Sequence, residues 1–134
     1  MAQMFRLPLV LLALLVASCA SVLNGPDRPP TRAEIIGTYD MGHAGFDQEL
    51  ELHQDGSYKR TLFAHLDSTD ATYLGTWRLE GKYLFFEPVP AIPTISSLVQ
   101  AEAFFYKHKP AFVRTQDLKK EKVHEWWVYQ PRVR

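Results

Sequence analysis

This chain has a single cysteine, Cys19, among its 134 residues. A lone thiol cannot close an intramolecular disulfide, so a disulfide-stapled domain is excluded and any structural redox role would need a second chain. Long apolar runs are missing too. Leu7 to Val16 is apolar throughout, but it is about half the roughly twenty residues that an α-helix needs to cross a bilayer. There is no excess of either charge, with 15 basic and 15 acidic residues. Nucleic-acid binding rests on many Lys and Arg contacts to phosphate, and nothing here favours it. No serine sits in a Gly-x-Ser-x-Gly elbow, and no Gly-rich phosphate loop follows a strand. The five histidines, His43, His53, His65, His108 and His124, never recur at a close metal-binding spacing. Lys107 and Lys109 flank His108 and would repel a cation, and His124-Glu125 lacks the second histidine of a zincin helix. The reading is therefore of a chain that is not an enzyme and holds no metal or cofactor.

What is present begins at the N-terminus. Arg6 and the α-amino group supply positive charge, and no acidic residue precedes Asp27. After the apolar run comes the small pair Ala17-Ser18 and then Cys19. A charged start, a short apolar stretch and small residues make the shape of a secretory signal. The order Val16-Ala17-Ser18-Cys19 resembles the lipobox of bacterial lipoproteins. That resemblance implies removal of residues 1–18 and acylation of Cys19. Two or three acyl chains exceed the single chain that gives only marginal membrane binding. Ala20 stands where enteric lipoproteins kept in the inner membrane carry aspartate. The resemblance therefore implies an outer-membrane home, with the domain on the periplasmic side. The alternatives are an ordinary signal peptide or an apolar N-terminal helix, with Cys19 incidental. Residues 19–33, "CASVLNGPDRPPTRA", hold three prolines and no hydrophobic periodicity, so they read as a tether between lipid and domain.

From residue 34 to 134 short runs alternate with turn signals, the pattern of an all-β domain. The expected strands are Ile35–Asp40, Gln48–His53, Ser57–Leu66, Ala71–Leu79, Lys82–Pro88, Glu102–Lys107, Ala111–Thr115 and Lys122–Tyr129. A short helix or loop is expected to cross near 93–101, where Thr94 follows Pro93 as a possible N-cap. A three-residue loop, Gln54-Asp55-Gly56, sets Leu52 opposite Tyr58, Gln48 opposite Leu62 and Glu51 opposite Lys59. This register gathers apolar groups on one face and pairs charges on the other. A second hairpin, turning at Glu80-Gly81, is expected to set Leu79 opposite Lys82, Trp77 opposite Leu84 and Gly75 opposite Phe86. Its inward set is Trp77, Leu79, Leu84 and Phe86. The series "IIGTYD", "LELHQDGSY" and "GTWRLEGKYLFF", over Ile35 to Pro88, resembles the repeated hairpins of small lipocalin-like barrel domains. That likeness implies an antiparallel meander closing into a barrel of about eight strands.

Aromatic residues are the most informative feature for function. Phe85-Phe86, Phe104-Phe105 and Trp126-Trp127 are adjacent pairs within expected strands, and successive strand residues point to opposite faces. One ring of each pair must then lie outside, either beneath another segment or as an apolar patch for a partner. Tyr58, Trp77, Phe86, Trp126 and Trp127 are thus the candidate binding residues, beside Cys19 for lipidation. The expected role is an envelope binding or protein-interaction module. The alternative is a small apolar ligand in the barrel mouth. A toxin inhibitor or immunity protein, and an enzyme, rank below both.

Overall fold

The computed structural model describes residues 25–43, 46–64, 70–89, 98–119, 123 and 125–132. The lipobox, Cys19 and the larger part of the expected crossing at 93–101 lie outside them. Helix α1 (Arg32–Ile35) is followed by strands β1 (Gly37–His43), β2 (Phe46–Leu52), β3 (Ser57–Ala64), β4 (Ala71–Glu80) and β5 (Tyr83–Val89). After these come β6 (Gln100–Tyr106), β7 (Lys109–Arg114), helix α2 (Thr115–Leu118), a 3-10 turn (Glu125–Trp127) and β8 (Gln130–Pro131). All eight strands form one antiparallel sheet, ordered β7-β6-β5-β4-β3-β2-β1-β8. The sheet curls into a nearly closed barrel. The seam is completed where the Phe112 and Tyr129 backbones exchange hydrogen bonds of 3.2 and 2.8 Å, so the C-terminal residues bridge β7 to β1.

The β2–β3 register is the expected one, with Leu52 opposite Tyr58, Glu51 opposite Lys59 and Gln48 opposite Leu62. Gly56 takes the left-handed conformation that the three-residue loop requires, at φ +87°. The β4–β5 hairpin differs from expectation by two residues. Leu79 faces Leu84, Trp77 faces Phe86 and Gly75 faces Pro88, around a loop of Gly81-Lys82. Glycine belongs at the first loop position of a type II′ turn, and Gly81 holds φ +61° there. A shift of two keeps the same face inward, so Trp77, Leu84 and Phe86 are still buried.

Two further differences lie near the ends of the domain. Within the expected strand Lys122–Tyr129, of which Lys122 and His124 lie outside the described residues, Glu125–Trp127 form a 3-10 turn carrying Trp126 and Trp127, closed by a Val128 N–H to Glu125 carbonyl bond of 3.0 Å. Only the two-residue β8 then pairs with β1. Seven strands nearly complete the barrel, so a short strap suffices, and tertiary context overrides the β-propensity of the tryptophans. At the start, Ile35 belongs to α1 and not to β1, and the expected boundary at 33/34 runs through this helix. Thr31 and Glu34 form a capping box, with Glu34 N–H to Thr31 Oγ1 at 3.4 Å and Thr31 N–H to Glu34 Oε2 at 2.8 Å. Pro30 and Ile35 are fully buried. The N-terminal segment therefore seals the end of the barrel that carries the β2–β3, β4–β5 and β6–β7 turns.

Candidate functional site

The interior is divided along its length. Towards the capped end it is aromatic and full. Tyr58 meets Phe86 edge-on at 5.3 Å and Tyr39 lies 4.8 Å from Phe112, which stacks at 4.7 Å on Tyr129 where the aromatic packing gives way to the polar groups beyond. Trp77 donates from its indole N–H to the His53 carbonyl at 3.0 Å, and the Arg32 guanidinium sits 4.4 Å from the centre of its ring. Gly75 gives Tyr58 its room: a Cβ there would stand 2.1 Å from the Glu87 carbonyl oxygen and 2.7 Å from Tyr58 Cε1. Three of the five candidate aromatics, Tyr58, Trp77 and Phe86, are thus core residues, each under 5 % exposed. Trp127 is half-buried on the 3-10 turn, and the Trp126 side chain lies outside the described residues.

Towards the distal end, where β1, β3, β5 and β7 finish, the interior turns polar. Arg60 is 3 % exposed, yet it points inward from β3. Its Nε and Nη2 donate to Gln48 Oε1 at 3.1 and 2.7 Å, and the Tyr129 hydroxyl donates to the same oxygen at 2.8 Å. Three donors converge on one amide oxygen. Nearby, Arg114 grips the buried Asp117 carboxylate at 2.7 and 3.2 Å. Burial raises the Tyr129 hydroxyl pKa above its ordinary value, while the positive charges of Arg60 and Arg114 pull it back. Thr115 Oγ1, next to Arg114, is buried with no hydrogen-bond partner. Burying a guanidinium carries a desolvation penalty of several kcal/mol before any attraction offsets it. Buried Arg60 and half-buried Arg114, with one carboxylate and a phenol at one end, make a donor-rich cluster whose chemistry suits an anionic or carbonyl-bearing group. The signal for Arg60 was in the sequence, since the alternation that points Tyr58 and Leu62 inward also points the residue between them inward.

A second cluster invites comparison with a nucleophile, its base and an orienting acid. His53 Nδ1 is 2.8 Å from Ser57 Oγ, and its Nε2 is 3.2 Å from Glu51 Oε2. The Ser57 hydroxyl has only one proton, however, and its shorter bond, 2.6 Å, runs to Asp55 Oδ1. Asp55 also accepts from the Ser57 N–H at 2.8 Å, and both contacts hold its carboxyl below the usual range. The group locks the hairpin turn. Among the described residues, no three His, Cys, Asp or Glu side chains stand together to hold a metal ion.

Of the outer rings of the strand doublets, Phe85 is covered. Arg78 lies over Phe85 at 4.6 Å from the ring centre. In the second pair Phe105 shares the phase of buried Ala101 and Ala103 and is the inner ring, with Arg28 over it at 5.3 Å, while Phe104, the outer ring, is half-buried. The larger apolar side chains left exposed include Leu74 (55 %), Val99 (59 %) and Leu118 (38 %), all towards the distal end. Comparison with protein-family models, with characterised proteins and with solved structures found no match to this chain.

Proposed function

We propose that this chain is a lipid-anchored protein of a bacterial envelope whose barrel domain is a non-enzymatic binding module. The anchor reading rests on Val16-Ala17-Ser18-Cys19 after a short apolar run. Acylated Cys19 would hold the barrel at the outer membrane, on the periplasmic side. The observation that carries the binding reading is that three of the five large apolar side chains exposed among the described residues, Leu74, Val99 and Leu118, lie in the distal half, whereas the opposite end is sealed by α1. Large apolar side chains exposed at an unsealed end favour a protein partner.

Mass spectrometry of the mature protein tests the anchor. It should show residue 19 as the acylated N-terminus, and Cys19→Ser should leave the protein unprocessed or released. Capture from crosslinked envelopes tests the partner. Val99→Asp with Leu118→Asp should abolish it, whereas Tyr83→Asp, on the outer face near the capped end, should leave it intact. Equal capture by all variants would count against the distal end. The Arg60, Gln48 and Tyr129 cluster supports a second reading, a small ligand with an apolar body and a polar head. Titration with a long-chain carboxylate, read by tryptophan fluorescence, should then saturate in the parent and fail in Arg60→Met.

A further inference from the structure

The N-terminal segment joins the barrel at a defined place. Gly25 is buried, and a Cβ added to it would stand 3.1 Å from Phe105 Cβ and 3.4 Å from His108 Cα. Three residues on, Arg28 covers the Phe105 ring and pairs with Glu34 through two bonds of 2.8 Å. The chain therefore enters the domain beside the β6–β7 turn. From Cys19 to Gly25 the sequence advances six residues. Such a segment spans about 14 Å as a flexible coil and about 22 Å at full stretch. Strand β4, with its 10 residues, runs about 33 Å. An anchor at Cys19 thus keeps the capped end near its lipid more readily than the distal end.

The turn at that entry point is cationic. Lys107, His108 and Lys109 are all exposed, with Tyr106 half-buried beside them. Lys107 and His108 hold φ +50° and +64°, a left-handed pair that Asn-Gly ordinarily supplies. Lys107 Nζ lies 5.0 Å from the Tyr106 ring centre and 3.2 Å from Glu125 Oε1, which also accepts from the Tyr106 hydroxyl. Glu125 is the carboxylate that these bonds bring to the tip, against two lysines and a histidine. Juxtamembrane lysines attract anionic headgroups, and a tyrosine beside them suits the interface.

Resting on the proposed anchor at Cys19, we infer that the capped end of the barrel faces the bilayer, with the Tyr106–Lys109 turn on anionic lipid headgroups and the distal end turned away. Acylation consumes the chain's only thiol, so one introduced cysteine can carry a fluorophore in the mature acylated protein. The probe is placed at His108→Cys or at Gln116→Cys in α2, in vesicles of 70 % phosphatidylcholine and 30 % phosphatidylglycerol containing a headgroup spin label. Quenching should be at least threefold stronger at 108 than at 116. Gln54→Cys, on the β2–β3 turn of the same end, should behave like 108 and guards against damage to the β6–β7 turn. In pure phosphatidylcholine, or with Lys107→Glu and Lys109→Glu, the excess at the capped end should fall at least twofold. Equal or reversed quenching overturns the orientation, and quenching indifferent to both lipid charge and the lysines overturns the headgroup contact. Failure of the anchor has a different signature: the parent itself takes the label at Cys19 and does not float with vesicles.

Discussion

The two ends of this barrel are built on opposite principles. At the capped end, apolar rings fill the interior, and the polar groups around them meet their needs locally: Trp77 through the His53 carbonyl, α1 through its capping box. At the distal end, a guanidinium, an amide and a phenol occupy interior positions that leucine or phenylalanine could fill at lower desolvation cost. The first arrangement explains stability. The second does not, which is why it is the better place to look for function. Proteins commonly break the rules of core composition where they bind or react.

Substitutions that separate the two ends should follow that contrast. Trp77→Ala removes the largest ring of the capped end and should lower unfolding stability by about 4 kcal/mol in urea titrations. Gly75→Ala drives a methyl group into the Glu87 carbonyl and the Tyr58 ring; a loss of about 3 kcal/mol is expected, read as a fall in Tm. Tyr129→Phe, at the polar end, removes one of three donors from Gln48 and should cost about 1 kcal/mol. The smallest effect concerns Glu34, whose carboxyl the Arg28 guanidinium and the Thr31 amide hold down to about 2, against an ordinary 4.5. A depressed carboxyl contributes stability above its unfolded value and loses it as the pH falls towards 2. Glu34→Gln should therefore flatten the acid limb of the stability curve between about pH 4.5 and 2, the more visibly at low salt because the pair is exposed. An acid limb identical in parent and variant would dismiss this contribution.

Much of the capped end was legible in the sequence. The β2–β3 register could be read because Asp55-Gly56 marks a turn and only one offset pairs Glu51 with Lys59 while facing Leu52 to Tyr58. The inward set of the next hairpin survived a two-residue error because strand periodicity is two, whereas the offset depended on which loop position Gly81 occupies. The ends of the domain were harder to read. Three prolines suggested a free tether, but Pro30 and Gly25 are buried against the barrel, contacts that no local pattern encodes. Trp126-Trp127 looked like a strand, and the Glu125 before them is bonded to Tyr106 and Lys107 across the fold. The polar cluster is only partly legible: strand alternation places Arg60 inward beside Gln48 in the β2–β3 hairpin, but Tyr129 reaches them only through closure of the barrel.

The unlike ends can be tested against each other in one unfolding measurement on the triple variant Gln48→Leu, Arg60→Met, Tyr129→Phe. It replaces the converging donors and their acceptor together with apolar groups of similar size. If the cluster is kept for binding and not for stability, the urea midpoint should equal or exceed the parent's, because the converging donors and their acceptor are removed together. A loss as large as that expected for Trp77→Ala would contradict the account and make the polar end a structural element like the other.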